Sequence, residues 1–134
     1  MEFAEINRLL EDLSWSNRDE VCEKAINELI NIPVDYLHLL VLPNSRKDIW
    51  HNCAVVLHRI GYPKIIPIVP ELLEWLKDLN WPGTKSIIDL LCTVDKTILL
   101  PHFETAIKKA KAEQDDDWID GLIAFKGEYE KRNT

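Results

Sequence analysis

Side chains able to do acid–base, metal or nucleophilic chemistry are present in this chain, but their spacing scatters them. His51, Cys53 and His58 fall within one stretch. At about 100° per residue on a helix, His51 and Cys53 lie about 200° apart and cannot share a metal ion. His58 returns to the His51 face, but two turns away. A structural zinc needs four convergent ligands, and no such set is spaced for it. No metal and no cofactor is expected. With four glycines in the whole chain, a phosphate-cradling loop has little to be built from, and no nucleotide-binding, nucleophile-elbow or zinc-protease motif occurs.

The carboxylates are more suggestive. Glu71, Glu74 and Asp78 follow a three-then-four spacing and form one acidic stripe on a helix. Two carboxylates can serve general acid–base work, but a solvated face opposite Leu72, Leu73 and Leu76 accounts for the stripe without chemistry. Asp115, Asp116 and Asp117 could attract a cation, yet the start of a helix favours carboxylates on its own account. No catalytic residue is assigned. The three cysteines (Cys22, Cys53 and Cys92) are far apart and odd in number, which indicates free thiols in a reducing compartment, buried as small apolar groups.

Tryptophan is the better clue. Trp15, Trp81 and Trp118 stand at or beside expected helix starts, and Trp50 and Trp75 fall inside helices. Such a residue either seals the packing or projects as an interface anchor beside acid. The interaction candidates are therefore Glu71, Glu74, Asp78, Asn80, Trp81, Asp115, Asp116, Asp117 and Trp118.

The elements that must position them are all helical. Phe3, Ile6, Leu9 and Leu10 set a helix to Leu13. Ser16 with Asp19 suggests a capping box opening a second helix to about Asn31, where Pro33 stops it. A short helix from Asp35 to Val41 is expected before Pro43. Asn44 and Ser45, with Asp48, suggest the cap of a fourth helix reaching Ile60, and Gly61 suits its end. Pro67 and Pro70 belong in a first turn, so a fifth helix runs from about Ile66 to Asp78. Pro82 opens a sixth, ending near Thr93. The seventh covers about 97–111 and the eighth 115–131. No room is left for a sheet.

These helices repeat. Val21, Ala25, Leu29 and Ile32 correspond in spacing to Ile49, Cys53, Leu57 and Ile60. They correspond again to Gly83, Ile87, Leu91 and Val94, and more loosely to Trp118, Leu122 and Phe125. The equivalent leucines, 29, 57, 91 and 122, are 28, 34 and 31 residues apart. A helix pair recurring about every 30 residues marks an α-solenoid. A plain bundle of similar amphipathic helices is the alternative; the recurring helix–turn–Pro–helix unit favours the solenoid. The expected architecture is an all-α, HEAT-like right-handed superhelix of about four helix pairs in a single domain, residues 1–134.

The segment Pro70-Glu71-Leu72-Leu73-Glu74-Trp75-Leu76-Lys77-Asp78-Leu79-Asn80-Trp81-Pro82 resembles the signature box of a small bacterial family of unknown function. Gly61-Tyr62 upstream and Asp116-Asp117-Trp118 downstream extend the likeness over residues 44–128. Lys77 departs from the Gln expected in that box. The resemblance implies a HEAT-like helical fold and no established activity; related small solenoids include bacterial toxin-immunity proteins.

Charge then narrows the function. The 134 residues carry 23 acidic and 16 basic side chains, a net charge of −7, which argues against a nucleic-acid binder. Lys108, Lys109 and Lys111 run directly into Glu113 and the Asp115–Asp117 run. No apolar stretch approaches the ~20 residues of a membrane span, and the N-terminus lacks the basic region of a signal peptide. The expectation is a non-enzymatic cytoplasmic protein that binds a protein partner, a basic one by charge, as a monomer or weak homodimer. Rival readings are an acidic immunity protein masking a toxin, and an enzyme whose site is hidden in a pocket near His51, His58, Glu74 and Asp78.

Overall fold

Most of the apolar positions with helical spacing have become buried helix faces, although Phe3 stays 51% exposed. The structure, a computed structural model, describes residues 1–134. It is all-helical with no strand; counting the unbroken run 66–77 once, the helical stretches number eight. The α-helices are α1 (Phe3–Asp12), α2 (Asp19–Leu29), α3 (Lys47–Ile60), α4 (Val69–Leu73), α5 (Thr84–Leu91), α6 (Lys96–Ala112) and α7 (Asp116–Arg132). A 3₁₀ segment, Val34–Leu40, lies between α2 and α3, and two more, Ile66–Ile68 and Glu74–Lys77, flank α4.

Two segments expected as ordinary helices are tighter, and proline is the reason. Pro67 and Pro70 have no N–H, so they cannot continue an i→i−4 ladder. The chain enters through i→i−3 bonds instead, from Ile66 N–H to Pro63 O and from Ile68 N–H to Ile65 O, each 3.0 Å. Val34–Leu40 is confined between Pro33 and Pro43 and also closes as 3₁₀, beginning with Tyr36 N–H to Pro33 O at 2.9 Å.

The expected serine caps do not form. Helix α2 starts after Arg18 with no side-chain cap, because the Ser16 hydroxyl is engaged with that of Ser14 at 2.8 Å. Ser45 has φ +59° and lies outside helix α3, which begins after Arg46. Pro82 precedes α5 by two residues, and Gly83, at φ +88°, makes the entry. The caps that do form are aspartates. Asp95 accepts from Thr97 N–H at 2.9 Å, and Asp115 accepts from Trp118 N–H at 3.1 Å.

Packing joins successive helices at the N-terminal end and, beyond α3, also elements further apart in the chain. Helix α1 lies on α2, α2 on α3, and α3 on α5; α4 lies on α6, the 3₁₀ turn 74–77 on α7, and α6 on α7. One apolar cluster runs from Ile6 in α1 to Tyr129 in α7. The four leucines expected at equivalent positions (29, 57, 91 and 122) are all 0% exposed. Two glycines set how closely the helices approach. A Cβ on Gly121 would lie 2.0 Å from the Leu76 carbonyl oxygen, and one on Gly83 would lie 2.6 Å from the Ala54 Cβ. Both crossings therefore require glycine.

Candidate functional site

Four of the five indoles are drawn into the fold. Trp75 is fully buried, and its Nε1–H donates to Pro82 O at 2.9 Å. Trp50 donates to Pro43 O at 2.8 Å, and Trp118 to Leu73 O at 3.1 Å. Pro43 and Pro82 lie in turns and Leu73 ends α4, so each indole finds a carbonyl where regular helix is absent. Trp50 meets Trp75 and Trp81 edge-on, with centroids 6.5 and 5.3 Å apart. This hub joins α3, the 3₁₀ turn 74–77 and the start of α5. Trp118 is only 1% exposed, so it seals the packing and offers no projecting anchor. Trp81 is half-buried against the hub, and Trp15 alone stands out, at 63% exposed.

The acidic stripe is divided between two places. Asp78 turns into the loop before α5, where its carboxylate accepts from Asn80 N–H at 2.8 Å and its carbonyl accepts from Trp81 N–H at 3.1 Å. Asp78, Asn80 and Trp81 thus form a structural turn. Glu71 and Glu74 instead face α6 across a cleft of about 190 Å³, lined also by His102, Thr105, Lys109 and the edge of Trp118. Asp115 does not line this cleft; it is the cap of α7. Asp116 and Asp117 are exposed in the first turn and make no ion pair.

Charges in the cleft are arranged around one aromatic face. Glu74 Oε1 lies 3.0 Å from Lys77 Nζ and 3.8 Å from Lys109 Nζ. The same two ammoniums sit 4.7 and 5.9 Å from the Trp118 ring centroid. Glu74 is thereby satisfied. Glu71 is not: its Oε2 is buried and has no hydrogen-bond partner in the protein. It is the only buried side-chain oxygen or nitrogen left in that condition.

Sequence reasoning found the Glu71 side of the cleft and missed the α6 side. His102, Thr105 and Lys109 carry a three-then-four spacing of their own. They flank the buried stripe Leu99, Phe103, Ala106 and Ala110. That signal was readable, but only the packing of α4 on α6 pairs it with Glu71. Elsewhere little is poised for reaction. Burial pushes all three thiols above their ordinary range, Cys53 the furthest, so none is a ready thiolate near neutral pH. No group of three or more His, Cys, Asp or Glu is placed to hold a metal ion. No helix is long and apolar enough to cross a membrane.

A family described as a domain of unknown function (DUF5071) has a model that matches residues 41–133. The chain belongs to that family. No curated protein and no solved structure matches it. The match begins just after the 3₁₀ segment Val34–Leu40 and takes in α3, the whole tryptophan hub and the Glu71 cleft. Helices α1 and α2 lie outside it, although they share the same core. They are tied to α3 by Asn52 Nδ2–H donating to Leu13 O at 2.8 Å and by Arg59 against Glu23 at 2.7 Å.

Proposed function

We propose that this protein is a non-enzymatic, HEAT-like helical-repeat protein of the cytoplasm that binds a basic protein, with the Glu71 cleft receiving a cationic side chain. The observation that carries the reading is the Glu71 carboxylate. A buried acceptor without a donor costs about 1–3 kcal/mol, more when charged. Such an atom in an open-sided cleft is accounted for if a ligand brings the missing donor. A guanidinium suits it best, because its fork can serve two acceptors at once. Glu74 stands one turn away to take the second contact, exchanging its longer pairing with Lys109 for it.

The surroundings favour the same partner. The exposed carboxylates Asp116, Asp117 and Asp120 follow one another at the start of α7 without pairing. With the overall charge of −7 they steer a basic surface toward that end of the molecule. The repeat is supported by the equivalent burial of Leu29, Leu57, Leu91 and Leu122 and by the stacking of alternate elements, α3 on α5 and α4 on α6.

The test is affinity capture with the wild-type chain, Glu71→Gln and Asp116→Lys. A captured basic protein that is lost with Glu71→Gln at unchanged helicity supports the reading. Capture that is indifferent to both substitutions removes it.

A further inference from the structure

A second cavity lies on the far side of α6, at the opposite end of the α6–α7 pair from the Glu71 cleft. It measures about 160 Å³, close to the ~150 Å³ of an apolar cavity known to accept a benzene ring. Its walls are Leu99, Leu100 and Phe103 from α6 and Phe125 and Tyr129 from α7. Phe125 lies 6.5 Å from Phe103 and 6.0 Å from Tyr129, centroid to centroid, in tilted arrangements. The floor is therefore aromatic, and the Tyr129 and Asn133 side chains that border it are already committed. The Tyr129 hydroxyl donates to Val94 O at 2.6 Å, and the Asn133 amide donates to Cys92 O and Tyr129 O.

The rim has the opposite character. Lys96 and Lys126 line it, and neither ammonium has a carboxylate within ion-pair distance. Glu130, one helical turn beyond Lys126, is the customary partner for it. Instead Lys126 reaches toward the cavity, its Nζ 5.6 Å from the Phe103 ring centroid. In a chain with a surplus of acid, two cations without an ion-pair partner thus line the mouth of an aromatic cavity, beside the carboxylate of Glu130.

We infer that this cavity is a binding site for a small organic carboxylate with an aromatic or short branched apolar body. The apolar body fills the space between Phe103, Phe125 and Leu99, and the carboxylate meets Lys96 and Lys126 at the rim. A long acyl chain exceeds the volume. A neutral molecule of the same shape gains the apolar contacts alone.

The test is a titration of the full chain with 4-fluorobenzoate and with neutral 4-fluorobenzyl alcohol, followed by fluorine NMR and by amide shifts. Saturable binding of the benzoate, at least tenfold tighter than the alcohol, with shifts confined to residues around 96–103 and 125–134, is expected. Lys126→Glu should weaken benzoate at least tenfold while leaving the melting temperature unchanged, since Lys126 is exposed. Leu100→Trp, which fills the cavity from a half-buried position, should abolish binding of both probes. Equal affinity for the two probes, no saturable binding, or benzoate binding indifferent to Lys126→Glu would each overturn the inference.

Discussion

The box from Pro70 to Pro82 has two faces, and they obey different rules. One carries Trp75, Leu76 and the turn through Asp78 to Trp81. There every buried polar group has a partner, and the neighbouring helices approach so closely that glycine is required at positions 83 and 121. The other carries Glu71 and Glu74 toward α6, where one buried carboxylate oxygen has no partner and two lysines gather over Trp118. The first face is explained by folding alone. The second is not, and a residue that folding does not explain is where binding is sought.

Substitutions separate the two faces. The largest effect belongs to Gly121→Val, which drives a side chain into the Leu76 carbonyl. It should cost more than about 3 kcal/mol and lower the midpoint of a thermal melt by about 10 °C or more. A melt within 2–3 °C of wild type would show that α7 can shift away at little cost.

Trp75→Phe comes next. It leaves a void at the centre of the hub and removes the donor to Pro82 O, for a loss of about 2–3 kcal/mol in denaturant unfolding.

A carboxylate that is satisfied gives the sharper contrast. Asp48 accepts from Arg46 through Nε at 3.1 Å and Nη2 at 3.3 Å. The Arg46 guanidinium holds Asp48 below its ordinary value of 3.8. The pair's contribution is therefore present above that value and lost as pH falls through the lower, folded-state value. Asp48→Asn should cost about 1 kcal/mol or less at pH 7, and nothing once the pH lies below both values. A loss that persists undiminished at pH 2 would assign Asp48 a role other than this pair.

Glu71→Gln lies at the small end of the scale. It removes a charge whose buried oxygen has no donor, so stability at pH 7 should be unchanged or rise by about 1 kcal/mol or less. A clear loss would mean that Glu71 serves the fold after all, and the contrast between the faces would disappear.

The sequence was legible where one helix decides its own burial. The apolar stripes, the burial of Leu29, Leu57, Leu91 and Leu122, and the aspartate run that opens the last helix could be read from spacing and composition. The 3₁₀ character of 34–40 and 66–68 could not, because in such short segments an apolar i, i+3 pair such as Leu37 and Leu40 suits either period. Ser16 and Ser45 failed as caps because other contacts engaged them: a hydroxyl pair in one case, a left-handed turn in the other. The fate of Trp118 turned on one carbonyl 45 residues away in sequence, at Leu73. The cleft was half legible. Its two sides, Glu71–Glu74 and His102–Lys109, are separate helical spacings that only the α4–α6 contact joins.

The most direct test of the Glu71 reading needs no identified partner. Argininamide supplies the guanidinium, and its binding can be followed by the indole N–H signal of Trp118 and the amide signals of residues 71–77 and 102–109. Saturable shifts at these positions in the wild-type chain are predicted. They should be lost in Glu71→Gln, and that variant should melt no earlier than wild type. Shifts of equal size in both proteins, or none at the cleft in either, would contradict the account.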